Sequence, residues 1–135
     1  MKSLLIISTI GLLFMLGCKN PNEPITSMEI KSPNSGKQIL IADSDVAKPL
    51  SWGEAKTACE SIGAGWRLPT VEELTEMYKI LHLNGKGNFK KSRYWSNVNN
   101  YINNTSIHVD FSTGVASGFD GDKWYHYYVR AVKDL

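Results

Sequence analysis

Cysteine is nearly absent: the 135 residues hold two, Cys18 and Cys59, and none follows Cys59. There is no Cys-x-x-Cys pair, and His82, His108 and His126 are too scattered for an HxxxH pair, so zinc-ligand spacing is missing. Charge of one sign is also lacking. A formal balance of +2 excludes the electrostatic footprint of a general nucleic-acid binder, and the cluster Lys86, Lys90, Lys91 and Arg93 reads as a solvated loop. The segment Asn84–Phe89, "NGKGNF", has two glycines but no following Lys-Ser/Thr, which excludes a phosphate-cradling loop. No internal repeat is present, and no apolar run reaches the roughly 20 residues of a membrane span.

What is present begins with a segment that does not belong to a fold. Lys2 precedes an apolar run from Leu4 to Leu16 that ends at Gly17, the pattern of an export signal. Met15-Leu16-Gly17-Cys18 resembles the bacterial lipobox, whose cysteine is acylated and becomes the first mature residue, although Leu16 is larger than the small residue usual before the glycine. Residues 1–17 are therefore expected to be a lipoprotein signal peptide and Cys18 a lipidated residue, with a plain secretory signal or a short anchor as the alternative. Acyl chains such as palmitate hold a protein on a membrane without spanning it. Residues 18–36 are rich in Asn, Pro and Ser and read as a flexible tether. Residues 37–135 remain, about one hundred, enough for one small domain. With Cys18 acylated, Cys59 has no partner for an internal disulfide.

The domain's texture is that of an α+β fold. "KQILIAD" from Lys37 suits a first strand. Ser51 and Glu54 form a capping box before a helix whose apolar stripe is Trp52, Ala55, Ala58, Cys59 and Ile62. The block Gly65–Leu74, "GWRLPTVEEL", opens a second helix. Thr70 and Glu73 make its capping box, and Val71, Leu74, Met77, Tyr78 and Leu81 its apolar stripe. Pro69 forces Leu68 into an extended conformation. Trp66 and Leu68 then point one way, into the core, and Arg67 points the other, toward carbonyls or Glu72 and Glu73. After Asn84 come short β-type runs, among them His108–Phe111, a turn at Ser112–Gly114 and a return strand from Val115. The expected order is strand, two helices, then several antiparallel strands.

These residues resemble a known family. Trp52, Ala55 and Cys59, then Gly65-Trp66-Arg67-Leu68-Pro69-Thr70 with Glu73-Leu74, then Tyr94-Trp95-Ser96 and Val129-Arg130-Ala131-Val132 look like the bacterial Lcl carboxy-terminal domain family. The resemblance covers about Lys37 to Leu135. It implies a C-type-lectin-like fold, distantly related to formylglycine-generating enzymes, and an exported or surface protein for which adhesion or ligand binding is implied. The active cysteines of formylglycine-generating enzymes lie late in the chain and are missing here. The Glu-Pro-Asn or Gln-Pro-Asp and Trp-Asn-Asp motifs of calcium-dependent lectins are missing from the domain as well. The resemblance implies fold more firmly than it implies a ligand.

Catalysis is not expected, because Cys59 sits on an apolar helix stripe, where a free cysteine behaves as a small hydrophobe. Neither a cofactor nor a metal site is expected; Asp120-Gly121-Asp122 reads as a turn. The tail, in contrast, interleaves Tyr and Trp with Asn97, Asn99, Asn100, Asn103 and Asn104, the composition of binding loops. Strand parity in "WYHYYVRAV" sends Tyr125, Tyr127, Val129 and Ala131 to the core and Trp124, His126, Tyr128 and Arg130 outward. The candidate ligand-binding residues are thus Trp124, His126, Tyr128 and Arg130, with Asn99, Asn100 and Tyr101. The expected function is a non-catalytic binding or adhesion module on a lipid anchor in the bacterial envelope, at the outer membrane or cell surface. It would hold a protein or glycan ligand, as an adhesin or a variable recognition protein does. The alternative is a structural envelope lipoprotein with no dedicated ligand.

Overall fold

The structure, a computed structural model, describes residues 28–100, 105–120 and 124–135, with the backbone alone at 100, 119 and 120. The signal segment and Cys18 lie outside the described residues. Strand β1 is Met28–Lys31 and β2 is Gln38–Ile41. Helix α1 spans Trp52–Ile62, the two-residue strand β3 is Trp66–Arg67, and helix α2 spans Val71–Ile80. A 3-10 turn at His82–Asn84 follows. Then come β4 (Arg93–Asn100), β5 (Thr105–Asp110), β6 (Val115–Asp120) and β7 (Val132–Asp134). The fold is α+β. One antiparallel sheet has the order β1-β2-β7-β3 and the other is the meander β4-β5-β6. Among the described residues no helix is long and apolar enough to cross a membrane.

The folded part starts earlier than the tether reading placed it. Met28–Lys31 pairs in register with β2, from Met28 opposite Ile41 to Lys31 opposite Gln38, and it buries Ile30. The alternation that marks it is only four residues long and is flanked by Ser and Pro, so composition hid it.

Both helices begin as expected. The hydroxyls of Ser51 and Thr70 accept from the N–H groups of Glu54 and Glu73, and each glutamate reaches back to its cap backbone. Trp52, Ala55 and Cys59 are buried, but Ile62, the last residue of α1, is 49 % exposed and does not join the stripe. Leu74 and Met77 of α2 and Leu81 at its C-cap are buried, with Val71 and Tyr78 packed at the margin.

The interior is divided in two, and β4 is the divider. Side chains alternate across a strand, so Tyr94 enters one cluster with Ile39, Ile41, Leu74, Met77 and Phe111. Its neighbour Trp95 enters the other, with Trp52, Cys59, Leu68 and Val129. The segment Tyr127–Val132 runs between the same two clusters, bridged to Leu50 and to Tyr94. Tyr127, Val129 and Ala131 face the Trp95 cluster. Tyr128 and Val132 face the Tyr94 cluster.

That placement corrects the reading of Arg130. From Tyr127 on, the parity is as the alternation predicts, but the second face is also interior, and Tyr125, expected in the core, lies before the extended segment and is 57 % exposed. Arg130 is 1 % exposed. Its Nε donates to Asp45 Oδ1 at 2.8 Å and its Nη1 to the carbonyls of Ala42 and Gly87, while the guanidinium lies 4.1 Å from the centre of the Phe89 ring. Tyr94 donates its hydroxyl to the other oxygen of Asp45 at 2.8 Å. Gly87 has φ of +82° and a Cβ there would overlap Phe89, so only glycine lets this loop close over the ring.

Candidate functional site

A groove of about 290 Å³ lies where α1, β3 and β4 meet. Its apolar floor is Trp52, Leu68 and the half-buried Trp66. Lys56 and Glu60, one turn apart on the exposed face of α1, form one wall, and Asn97 and Asn99 form the other, with Arg67 at the end.

A bulge in β4 builds the second wall. Trp95 pairs with His108 and Asn99 with Ser106, so three residues of β4 oppose Ile107 alone. Ser96 stabilises the kink by donating to Ile107 O at 2.7 Å and accepting from Val98 N–H. The extra length carries the Asn97 N–H to Pro69 O at 2.7 Å, which docks β4 onto the extended segment before α2. Asn97 and Asn99, two apart, then face the same groove. Bulges re-aim side chains in this way.

Four main-chain groups around the groove are engaged. Trp66 N–H bonds Gly63 O, Pro69 O accepts from Asn97, Leu68 O accepts from Arg67, and Ser96 O accepts from the Trp52 indole at 2.9 Å. Several side-chain groups are not. The Trp66 indole N–H, the Asn97 amide, the Lys56 ammonium and the Glu60 carboxylate have no hydrogen-bond or ion-pair partner among the described residues, whereas Asn99 Oδ1 accepts from Ser106.

Arg67 is held rather than free. Nη1 and Nη2 bond the two oxygens of Glu73 at 2.9 Å each, and Nη2 also bonds Asp134 Oδ1 at 2.8 Å. Glu73, 1 % exposed, further accepts from Thr70 N–H and the Ser32 hydroxyl. Burial alone would raise its carboxyl, but the bonds from Arg67, Thr70 and Ser32 outweigh it and hold it below the usual carboxylate range. On the far side of Arg67 a second depression of about 270 Å³ shares Arg67 and Asn97 with the first, and Asn34, Ser35 and Lys37 line it with Glu73 and Asp134.

The residues singled out in the sequence are dispersed. Asn99 is in the groove. Trp124 is 73 % exposed and His126 is exposed beside α1, its Nε2 3.9 Å from Glu54. Tyr128 is half-buried against the Tyr94 ring and Arg130 is interior, so the four do not form one outward row. Tyr101 lies outside the described residues, as do Gly121 and Asp122, and the side chain of Asn100 is not described. Trp66 points to the same side as Leu68, as expected, but it lines the groove, packed against the edge of the Trp95 cluster, and is not fully buried in it. Sequence reasoning missed Lys56, Glu60 and Asn97 as a set. The signal available for the first two was their spacing of four on the polar face of α1, one turn beyond Trp52.

Cys59 is fully buried in the Trp95 cluster, and burial pushes its thiol up to about 12. At neutral pH it is protonated and cannot serve as a thiolate. Among the described residues no three His, Cys, Asp or Glu side chains converge as metal ligands.

No known protein family matches this chain, and no characterised protein matches it either.

Proposed function

We propose that this chain is an exported lipoprotein, anchored through Cys18 in the bacterial envelope, whose single domain is a non-catalytic ligand-binding or adhesion module. We further infer that the domain is a member of the Lcl carboxy-terminal domain family with a C-type-lectin-like fold. The motifs quoted above and their order along two helices and a strand meander support that placement. The observation that carries the binding role is the groove at Trp66. It gathers an indole, an amide and two opposite charges without partners among the described residues. Groups left open in a concave site are what ligands use.

A structural envelope lipoprotein is the second reading. It draws support from the Trp66–Thr70 block, much of which is tied up internally through the Arg67, Glu73 and Asp134 network.

Two measurements test the proposal. Wild-type protein should label with palmitate in cells and partition with membranes, and Cys18→Ser should do neither; retained labelling in the variant overturns the anchor. Purified Cys18→Ser protein should bind specific spots on a combined glycan and protein array. An array with no specific binding favours the structural role.

A further inference from the structure

Resting on the binding reading above, we propose that the two depressions flanking Arg67 form one binding cleft for a short neutral glycan, with one sugar ring against Trp66 and the next across Asn97 toward Asn34 and Ser35.

Charge decides against an ionic ligand. Three cations line the combined cleft, Lys37, Lys56 and Arg67, and three carboxylates oppose them, Glu60, Glu73 and Asp134. Neither sign is in excess, so neither a polyanion nor a cation is selected. Main-chain geometry decides against an extended peptide. Strand addition requires a continuous row of open N–H and C=O groups along an edge, and here the row is interrupted, because Trp66 N–H, Leu68 O, Pro69 O and Ser96 O are already bonded. Recognition is left to side chains: the partly exposed Trp66 indole, the Asn97 amide, the Ser35 hydroxyl, which already accepts from Lys37 N–H, and the donors of Lys37 and Lys56. An aromatic face attracts polarised C–H groups, and an amide beside it both donates and accepts. A sugar presents C–H groups on its ring face and hydroxyls at its edge, and it meets both demands at once.

Size sets the chain length. Each depression, at about 290 and 270 Å³, is at or below the roughly 300 Å³ lower limit of small-molecule pockets. Each therefore takes one ring, and the shared Asn97 sits at the junction.

The test is a titration of full-length Cys18→Ser protein, followed by Trp fluorescence and calorimetry. The probes are the mono-, di- and trisaccharides of β-1,4-linked glucose and of β-1,4-linked N-acetylglucosamine. A sulfated heparin disaccharide and the peptide Gly-Leu-Gly serve as comparators. In at least one neutral series, affinity should rise about tenfold from one ring to two and change little at three. Asn97→Ala, whose main-chain bond to Pro69 is kept, should weaken both mono- and disaccharide at an unchanged melting temperature. Asn34→Ala, which also removes the acceptor of the Thr70 hydroxyl, should weaken only the disaccharide at an unchanged melting temperature. Trp66→Phe should remove the fluorescence change. Preference for the sulfated sugar or the peptide overturns the neutral-glycan assignment and leaves the binding module standing, as does array binding to a protein with no response to any sugar. Sugar binding that is indifferent to Asn97→Ala and Trp66→Phe overturns the cleft. Silence toward every probe and every array spot removes the binding reading itself.

Discussion

Arg130 and Asp45, 85 positions apart in sequence, form an ion pair of 2.8 Å inside the domain, with neither side chain more than 11 % exposed. The pair joins the loop after β2 to the segment before β7, and through Gly87 O it also holds the loop after α2. Asp45 is further fixed by Tyr94. Arg130 Nη2 is buried with no acceptor, which leaves the Phe89 ring as its neighbour.

Breaking that pair from one side strands a buried charge. Arg130→Met or Asp45→Leu alone should destabilise the protein by about 3–5 kcal/mol. The double variant should recover part of the loss, because no charge is then left unpaired. Urea denaturation of the three variants measures the coupling, and an additive double variant would mean that the pair has no energetic link.

The Arg67 network makes stability depend on acid. Glu73 and Asp134 both have folded-state pKa values below their ordinary ones, Asp134 chiefly through its bond from Arg67. Their contribution is complete above the unfolded carboxylate values near 4. It is lost as pH falls from there through the lower folded values. The melting temperature should drop across that window, and Glu73→Gln should start lower and show a shallower decline.

The block around Pro69 divides into structural and exposed parts. Thr70→Ala removes the cap of α2 and should cost about 0.5–2 kcal/mol. Leu68→Ala empties a buried position and should cost about 2–5 kcal/mol. Trp66→Ala should cost less than Leu68→Ala, because part of the indole already meets solvent at the groove. The same denaturation series ranks all three, and a Trp66→Ala loss exceeding that of Leu68→Ala would move Trp66 into the core.

Gly114 tests a close approach. It turns β5 into β6 with φ of +79°, and a Cβ there would overlap the Tyr78 ring of α2. Gly114→Ala should lower the melting temperature, and Tyr78→Ala in the same chain should relieve the clash but not the φ strain, giving partial recovery.

What the sequence made legible was local. The capping boxes at Ser51 and Thr70 act within four residues, and both are in place. The turn at Ser112–Gly114 is likewise set by its own residues. The fate of Arg130 is not local, because a period of two names two faces without saying what covers each one. Here the second face is covered by Phe89 and by Asp45, from distant loops. The groove was hidden for a related reason. Asn97 reaches Pro69 only because three residues bulge against one, and nothing in "YWSNVNN" alone announces that count.

The position of β7 has a consequence for timing. Val132–Asp134 is the strand latest in sequence, yet it lies inside its sheet, and among the described strands β3 has no other partner. A chain emerging amino-terminus first can form α1, α2 and the meander while Trp66 and Arg67 still have no strand beside them. Asp134, which bonds Arg67, arrives with the same strand. The groove is thus completed only when the last strand docks, and a chain clipped just before Val132 would lose the strand against which Trp66 and Arg67 are held.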